Sequence, residues 1–317
     1  MKLDEKRIVV TGGAGFIGSH IVDYLLVHNA IVTVIDDLSN GTETNLEGWK
    51  THNNFLLQRK DIRNSATVYE VLKEAEIVFH EAAKVSVPFS TKHPCLTMDV
   101  NSQGTAILLN ECRKRDVSKI VVASSSSVYG DTPVLPKIET MPTNPLSPYA
   151  ASKLAGENLA IAFSKTYGMD ITALRYFNVY GPRQRSGSYA GVISVFINQA
   201  LDNRPLTIEG EGEQTRDFTF VKDVVKCNIL AALEEKSKGE VYNVGGGSRI
   251  TILELAKKIK EIVGSSSNLE FLPPRIGDVK DSLAGIDKAR KHLGYEPEYD
   301  IDTGLELTID WIRESNG

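Results

Sequence analysis

The sequence predicts an α/β fold, a doubly wound parallel sheet with a smaller α/β lobe attached. Three observations lead there. Short β-branched runs alternate with amphipathic stretches through the first half of the 317 residues. A glycine-rich turn joins the first such run to the first helical stretch. After Gly181 the alternation loosens, as a second lobe requires. Strand and helix in alternation make βαβ units, and their crossovers set neighbouring strands parallel.

The elements follow in order. Arg7–Thr11 reads as a buried strand, residues 16–28 as a helix and 31–35 as the next strand. Residues 77–79 and 119–123 give two more strands, with helical stretches between them. Residues 147–167 read as a helix that Pro148 can begin, because a first-turn proline gives up no needed hydrogen bond. Residues 171–175 are another inner strand. In the second lobe, helices are expected at 192–201, 221–233, 252–263 and 302–312, and short strands at 206–208, 241–243 and 270–271.

Composition narrows the function classes. Hydrophobic residues make up 41% and charged residues 24%, as in an ordinary globular enzyme. The net charge of -5 argues against nucleic acid, because an acidic chain gains little from counterion release. No apolar run is long enough for a bilayer, so no membrane partner is expected. The first seven residues lack the apolar core of a secretion signal. Cys95, Cys112 and Cys227 are far apart, in neither a disulfide framework nor a metal-ligand spacing. A reducing cytoplasm and no metal are the expectations.

Thr11-Gly12-Gly13-Ala14-Gly15-Phe16-Ile17-Gly18 sits between the first strand and first helix. Gly12 suits the tight turn, Gly15 lets backbone approach a diphosphate, and Gly18 lets the helix pack close to the sheet. The helix N-terminus then offers free N–H groups to the anion. Asp36 ends the next strand. A carboxylate there accepts from a ribose diol and repels a 2′-phosphate, which favours NAD over NADP. The pattern is that of a Rossmann-type site. Residues 1–180 are expected to form the NAD-binding domain, with later contributions near 217–245. Residues 181–317 form the substrate-binding lobe, interleaved with it.

Tyr149 and Lys153 lie four apart on the expected helix and share a face. Tyrosine is a poor base at its ordinary pKa of about 10. A nearby ammonium stabilises the phenolate, and a bound cationic ring acts the same way. The pair then becomes a proton acceptor for a hydroxyl. Ser124, Ser125, Ser126 and Ser127 follow the strand at 119–123, at the carboxyl end where ligands bind. Residue types alone leave open which serine acts.

These motifs together resemble the extended short-chain dehydrogenase/reductase family, specifically its nucleotide-sugar epimerases. The likeness runs from Thr11 to about Ser282. It takes in the glycine turn, Asp61-Ile62, His80-Glu81-Ala82-Ala83-Lys84, Asn101 with Gly104-Thr105, Ser124 to Gly130, Tyr149 with Lys153, and Arg175-Tyr176-Phe177-Asn178-Val179-Tyr180-Gly181-Pro182. It implies that Phe16 and Ile17 lie near the NAD diphosphate. Asp36, Asn40 and Gly41 would hold the adenosine ribose, and Asp61 and Ile62 the adenine. His80, Glu81, Ala82, Ala83, Lys84 and Asn101 would line the cofactor channel, and Tyr176 and Phe177 would border the nicotinamide. Counting back from Gly130, the catalytic serine falls on Ser125, with Ser126 and Ser127 beside it.

For the substrate lobe the resemblance implies UDP-sugar contacts at Lys84, Asn178, Val192, Ile193, Thr207, Ile208, Arg216, Arg275, Asp278 and Ser282. Arg216 and Arg275 suit a diphosphate clamp with charge-assisted bonds. Thr207 and Ile208 suit a uracil edge, and Asp278 the nucleotide's ribose. Ser282 falls where relatives border the sugar's C2 substituent. A small side chain there leaves room for an N-acetyl group. The implied activity is 4-epimerisation of a UDP-hexose through a 4-keto sugar, in a homodimer built on a four-helix bundle. The alternatives are a 4,6-dehydratase or decarboxylase of the same family, or a non-catalytic NAD-sensing regulator on the same fold. Ser126 and Ser127 stand where dehydratases carry an acid pair.

Overall fold

The computed structural model describes residues 3–184, 191–273 and 279–316. In the first half the strands are β1 (Arg7–Thr11), β2 (Ile31–Asp36), β3 (Phe55–Arg59), β4 (Ile77–His80), β5 (Lys119–Ser125) and β6 (Ile171–Tyr176). The helices among them are α1 (Phe16–Val27), α2 (Ser65–Val71), α3 (Val87–Lys92), α4 (Pro94–Met98), α5 (Gly104–Lys114) and α6 (Pro148–Tyr167). Then come β7 (Val179–Tyr180), α7 (Val192–Leu201), β8 (Leu206–Glu209), β9 (Thr215–Arg216), β10 (Thr219–Phe220) and α8 (Val221–Leu233). The chain ends with β11 (Val241–Val244), β12 (Ile250–Thr251), α9 (Ile252–Val263), β13 (Leu269–Leu272), α10 (Asp287–Leu293) and α11 (Ile301–Asn316).

The central sheet has seven strands in the order β11-β6-β5-β4-β1-β2-β3, and every pairing is parallel. Because both faces carry helices, successive residues of one strand enter different cores. Val10, Phe79 and Val121 pack on one side with Ile21 and Leu25 of α1. Val9, Val78, Ile120 and Val122 pack on the other with Leu108, Leu109 and Cys112 of α5. Strand order reverses between β1 and β4, which opens a crevice at their carboxyl ends. A third core gathers Phe196 and Ile197 of α7, Ile208 of β8, Leu255 and Ile259 of α9, and Leu305 and Ile309 of α11.

Residues 241–243 were expected as a short strand, within the stretch 217–245 that contributes to the first domain; they lie in the seventh strand of the main sheet, where Val241 pairs with Ala173 and Asn243 with Arg175. Such pairing is non-local, and composition does not encode it. Strand β3 lacked the β-branched signature, because it is an edge strand with Leu56 half-exposed. Elsewhere local chemistry decided the element. Ser147 caps α6 by accepting from Ala150 N at 3.1 Å, Pro148 opens it, and Gly168 closes it in the left-handed region at φ 69°. None of the described helices is long and apolar enough to cross a membrane.

Candidate active site

The crevice begins at the glycine turn. Gly12 has φ 69°, and a Cβ there would stand 2.6 Å from the backbone nitrogen of Ala82. The turn therefore passes directly over the exit of β4. Gly15 is the N-cap of α1, with no side-chain cap and no acidic residue in the first turn. The first N–H groups of α1, those of Phe16 and Ile17, are thus left for an anion. Asp36 is buried at the end of β2 and accepts from Ala14 N at 2.9 Å and Leu38 N at 2.8 Å. Burial pushes its carboxyl above the usual range. Gly41 sits against Ala14, and Asn40 donates to the carbonyl of Ala83 at 3.2 Å. An uncapped helix start beside a buried carboxylate at the next strand end fits a dinucleotide with a free ribose diol. Replacing Gly12 with alanine is expected to lower the denaturation midpoint and dinucleotide retention together. The backbone conformation alone costs a non-glycine residue about 1–3 kcal/mol, before the contact with Ala82. Chemical denaturation and cofactor content after gel filtration check this.

The crevice wall is built around His80, buried between two hydroxyls. Thr11 Oγ1 lies 2.7 Å from its Nδ1 and Thr105 Oγ1 lies 2.8 Å from its Nε2. Thr105 already donates to the carbonyl of Asn101 at 2.6 Å. Nε2 therefore carries the proton and Nδ1 accepts from Thr11, a tautomer assigned from the network. Burial holds the imidazole at about 3, so it stays neutral. A widened helical turn, Asp99–Gln103, presents the buried Asn101. Its side chain accepts from Lys84 N at 2.7 Å and donates to Lys84 O at 3.0 Å and Ser152 Oγ at 2.8 Å. Residues 82–84 are thereby locked to the helix that carries Tyr149. Lys84 Nζ reaches Ser39 Oγ at 2.7 Å.

The adjacent serines differ in direction. Ser124 Oγ turns away and donates to Glu157 Oε2 at 2.6 Å. Ser125 Oγ accepts from Ser127 N at 3.2 Å and Ser127 Oγ at 2.9 Å, and its interaction with the Tyr149 phenol favours the phenolate. With both of those donors filling its lone pairs, the Ser125 proton is left free to donate. Without a cofactor, burial raises the Tyr149 pKa above the ordinary tyrosine value, the interaction with Ser125 opposes that, and Glu81 adds to it. Lys153 is buried as well, which holds its ammonium down to about 8, still charged at neutral pH. A water-sized cavity of about 10 Å³ lies beside Lys153, between His80, Asn101 and Ser152.

Several expected contacts are engaged within the chain. Asp61 is held by Arg63, at 3.0 Å from Nε, which keeps its carboxyl below the usual range. Ile62 is buried against Gly104. Tyr176 donates to Glu81, and Phe177 is buried beside Tyr129. Asn178 donates to the carbonyl of Asp217 at 2.8 Å and to Ser282 Oγ at 3.2 Å, so its amide joins two segments of the second lobe. Ile193 and Ile208 are buried, while Val192 opens α7. Thr207 N–H donates to Gln199 Oε1 at 3.2 Å, and Gln199 Nε2 donates to Thr207 Oγ1 at 2.9 Å. Arg216 Nη1 donates to the carbonyls of Thr215 and Lys280. It lines a cavity of about 730 Å³ with Phe218, Arg249, Lys257 and Tyr299, apart from Tyr149 and Lys153. Arg275 and Asp278 lie outside the described residues. Sequence reasoning gave no role to Asp217, whose buried carboxylate accepts from Ala284 N and Gly246 N. It fixes the segment that carries Arg216, and its only sequence signal was its place next to that arginine.

The family model described as NAD dependent epimerase/dehydratase matches residues 8–245. The chain belongs to that family. A UDP-glucose 4-epimerase of Mycolicibacterium smegmatis is 39% identical over 98% of this chain and 99% of its own length. A UDP-glucuronic acid decarboxylase 1 of Xenopus tropicalis is 36% identical over 98% of this chain and 73% of its own. Among solved structures, a UDP-N-acetylglucosamine 4-epimerase of Methanobrevibacter ruminantium, in complex with UDP-N-acetylmuramic acid, superposes with a TM-score of 0.94. It is 39% identical and covers 98% of this chain and 99% of its own. A UDP-glucuronic acid 4-epimerase of Bacillus cereus, in complex with UDP-glucuronic acid and NAD, gives 0.92 at 35% identity, covering 98% and 99%. The epimerase/dehydratase family thus spans members with different outcomes at one shared scaffold.

Proposed function

We propose that this chain is a UDP-sugar 4-epimerase with NAD as its resident cofactor. The observation that supports it most is the pairing of Ser125, at the carboxyl end of β5, with the buried Tyr149 phenol, one strand away from the β4 exit that the glycine turn crosses. The uncapped start of α1 and the Asp36 carboxylate suit the diphosphate and adenosine ribose of NAD. When bound, NAD accepts a hydride from the sugar and returns it. Tyr149 takes the proton of the C4 hydroxyl, leaving a 4-keto sugar. Ser125 bonds the reacting oxygen and steadies the developing phenolate. Lys153 contributes positive charge to the same crevice and holds the cofactor ribose. The keto sugar then turns about its diphosphate linkage, and Tyr149 gives the proton back on the opposite face. Asn178, Arg216 and Ser282 belong to the pocket that holds the nucleotide sugar, with Val192, Ile193, Thr207 and Ile208 around it. Two copies of the chain associate through α5 and α6, which sedimentation tests.

Ser126 and Ser127 occupy the loop where elimination of water needs an acid pair, which sets epimerisation above dehydration. The decarboxylase relative keeps loss of carbon dioxide as the second reading. Product mass separates them, since an epimer keeps the mass of its substrate. Ser282 is buried behind Asn178 and small, so the acetylated pair UDP-GlcNAc/UDP-GalNAc is accepted besides UDP-glucose/UDP-galactose. Incubation with all four sugars, followed by chromatographic separation of epimers, tests this. Replacing Ser282 with tyrosine is expected to reduce turnover of the acetylated pair at least tenfold relative to the other pair. Equal losses on both pairs would remove Ser282 from the specificity argument.

A further inference from the structure

We infer that Glu81 is a positioning residue of this site: held by Tyr176 and Asn228, its carboxylate is the counter-charge that faces Lys153 and Tyr149 from the β4 side of the crevice. The inference rests on the reading of Tyr149 as the base. Glu81 directly follows β4, the strand between β1 and β5. Its N–H donates to the carbonyl of Thr11 at 3.1 Å, which ties it to the start of the glycine turn. Tyr176 Oη donates to Glu81 Oε1 at 2.7 Å, and Asn228 Nδ2 donates to Tyr176 Oη at 2.8 Å. Asn228 is fully buried on α8, so this chain of bonds has a rigid anchor.

Lys153 feels two carboxylates, Glu81 and Glu157. They differ in kind. Glu157 accepts from Arg175 Nη2 at 2.6 Å, Arg175 Nε at 2.9 Å and Ser124 Oγ at 2.6 Å, so its charge is already matched by a guanidinium. Glu81 accepts a neutral hydroxyl and has no guanidinium or ammonium bonded to it among the described residues. Its charge is therefore the one that acts across the crevice. Above about pH 7, where Glu81 is ionised, the other titratable groups around it leave that charge standing. His80 on β4 is neutral, Cys227 on α8 is held protonated by burial, and Tyr176 on β6 is pushed well above the tyrosine range. Burial has moved Glu81 up to about 7 and Lys153 down to about 8, each partner opposing the other's shift, while Glu81 raises Tyr149.

The test is the pH dependence of kcat for the NAD-loaded Glu81→Gln protein. The amide oxygen still accepts from Tyr176, so packing is kept while the charge is lost. Without that charge both Tyr149 and Lys153 release their protons more readily. Both limbs of the profile should then move to lower pH by about one unit, the scale of a unit charge removed from a site of intermediate dielectric. The tyrosinate absorbance titration, taken as the difference between each protein and its Tyr149→Phe form, should shift the same way without any turnover. Tyr176→Phe withdraws the donor that steadies the carboxylate and should give a smaller shift of the same sign. Limbs and titration that stay in place, in a folded Glu81→Gln protein or in Tyr176→Phe, overturn the inference alone. Normal turnover in Tyr149→Phe overturns the proposed function, and this inference with it.

Discussion

Replacing Tyr149 with phenylalanine is expected to lower turnover by about a thousandfold, within the range that a positioned acid–base group contributes, while NAD stays bound. The two halves of that expectation have separate structural causes. The cofactor is expected to lie along the glycine turn, the uncapped start of α1 and Asp36, none of which touches the phenol oxygen. The substitution deletes one oxygen and keeps the ring that packs at the start of α6. What disappears is the phenol oxygen that interacts with Ser125, the proposed proton carrier of the crevice. Cofactor content, read by absorbance after denaturing release, should match the parent protein, and kcat should fall without a comparable rise in KM. Retention of normal turnover would mean that another group takes the proton. The half-buried Glu81, already pushed up to about 7, would then be the first to test.

How much of this was legible in the sequence follows the range of the interactions involved. The β1–turn–α1 unit is coded within a dozen residues by a β-branched run and three spaced glycines, and it folds where expected. The bounds of α8 and α9 were legible for the same reason, with Thr251 and Glu254 forming a capping box at the start of α9. Ser125 was reached only by counting along a motif, because four adjacent serines have identical local chemistry. Tertiary partners distinguish them, Glu157 for Ser124 and Tyr149 for Ser125. The pairing of β11 with β6 and the carboxylates around Lys153 were not legible, since each depends on neighbours far away in the chain. Glu157 and Arg175 are 18 residues apart and look like ordinary surface charges in the sequence.

That ion pair carries the second large expectation. Arg175 and Glu157 have side-chain exposures of only 6% and 3%, and two hydrogen bonds join them, Nη2 to Oε1 and Nε to Oε2. Arg175 Nη1 also donates to Tyr129 Oη at 2.8 Å, and Tyr129 donates to Asn243 Oδ1 at 2.7 Å. The network joins α6, β5, β6 and β11, the elements that present Tyr149, Lys153 and Ser125. Glu157→Leu leaves the guanidinium buried without a counter-charge, and removing one partner of such a pair typically costs about 3–5 kcal/mol. A double variant with Glu157→Leu and Arg175→Met removes both charges and is expected to recover most of that stability in urea denaturation, since apolar replacements of buried pairs are often neutral. Activity should not recover with it. Ser124 loses its acceptor and Tyr129 its donor in the double variant, so the register of β5 against α6 is no longer held by directional bonds. A double variant as unstable as the single one would show that shape, rather than the unmatched charge, sets the penalty. One with full kcat would show that β5 and α6 hold the serine and tyrosine in register by packing alone.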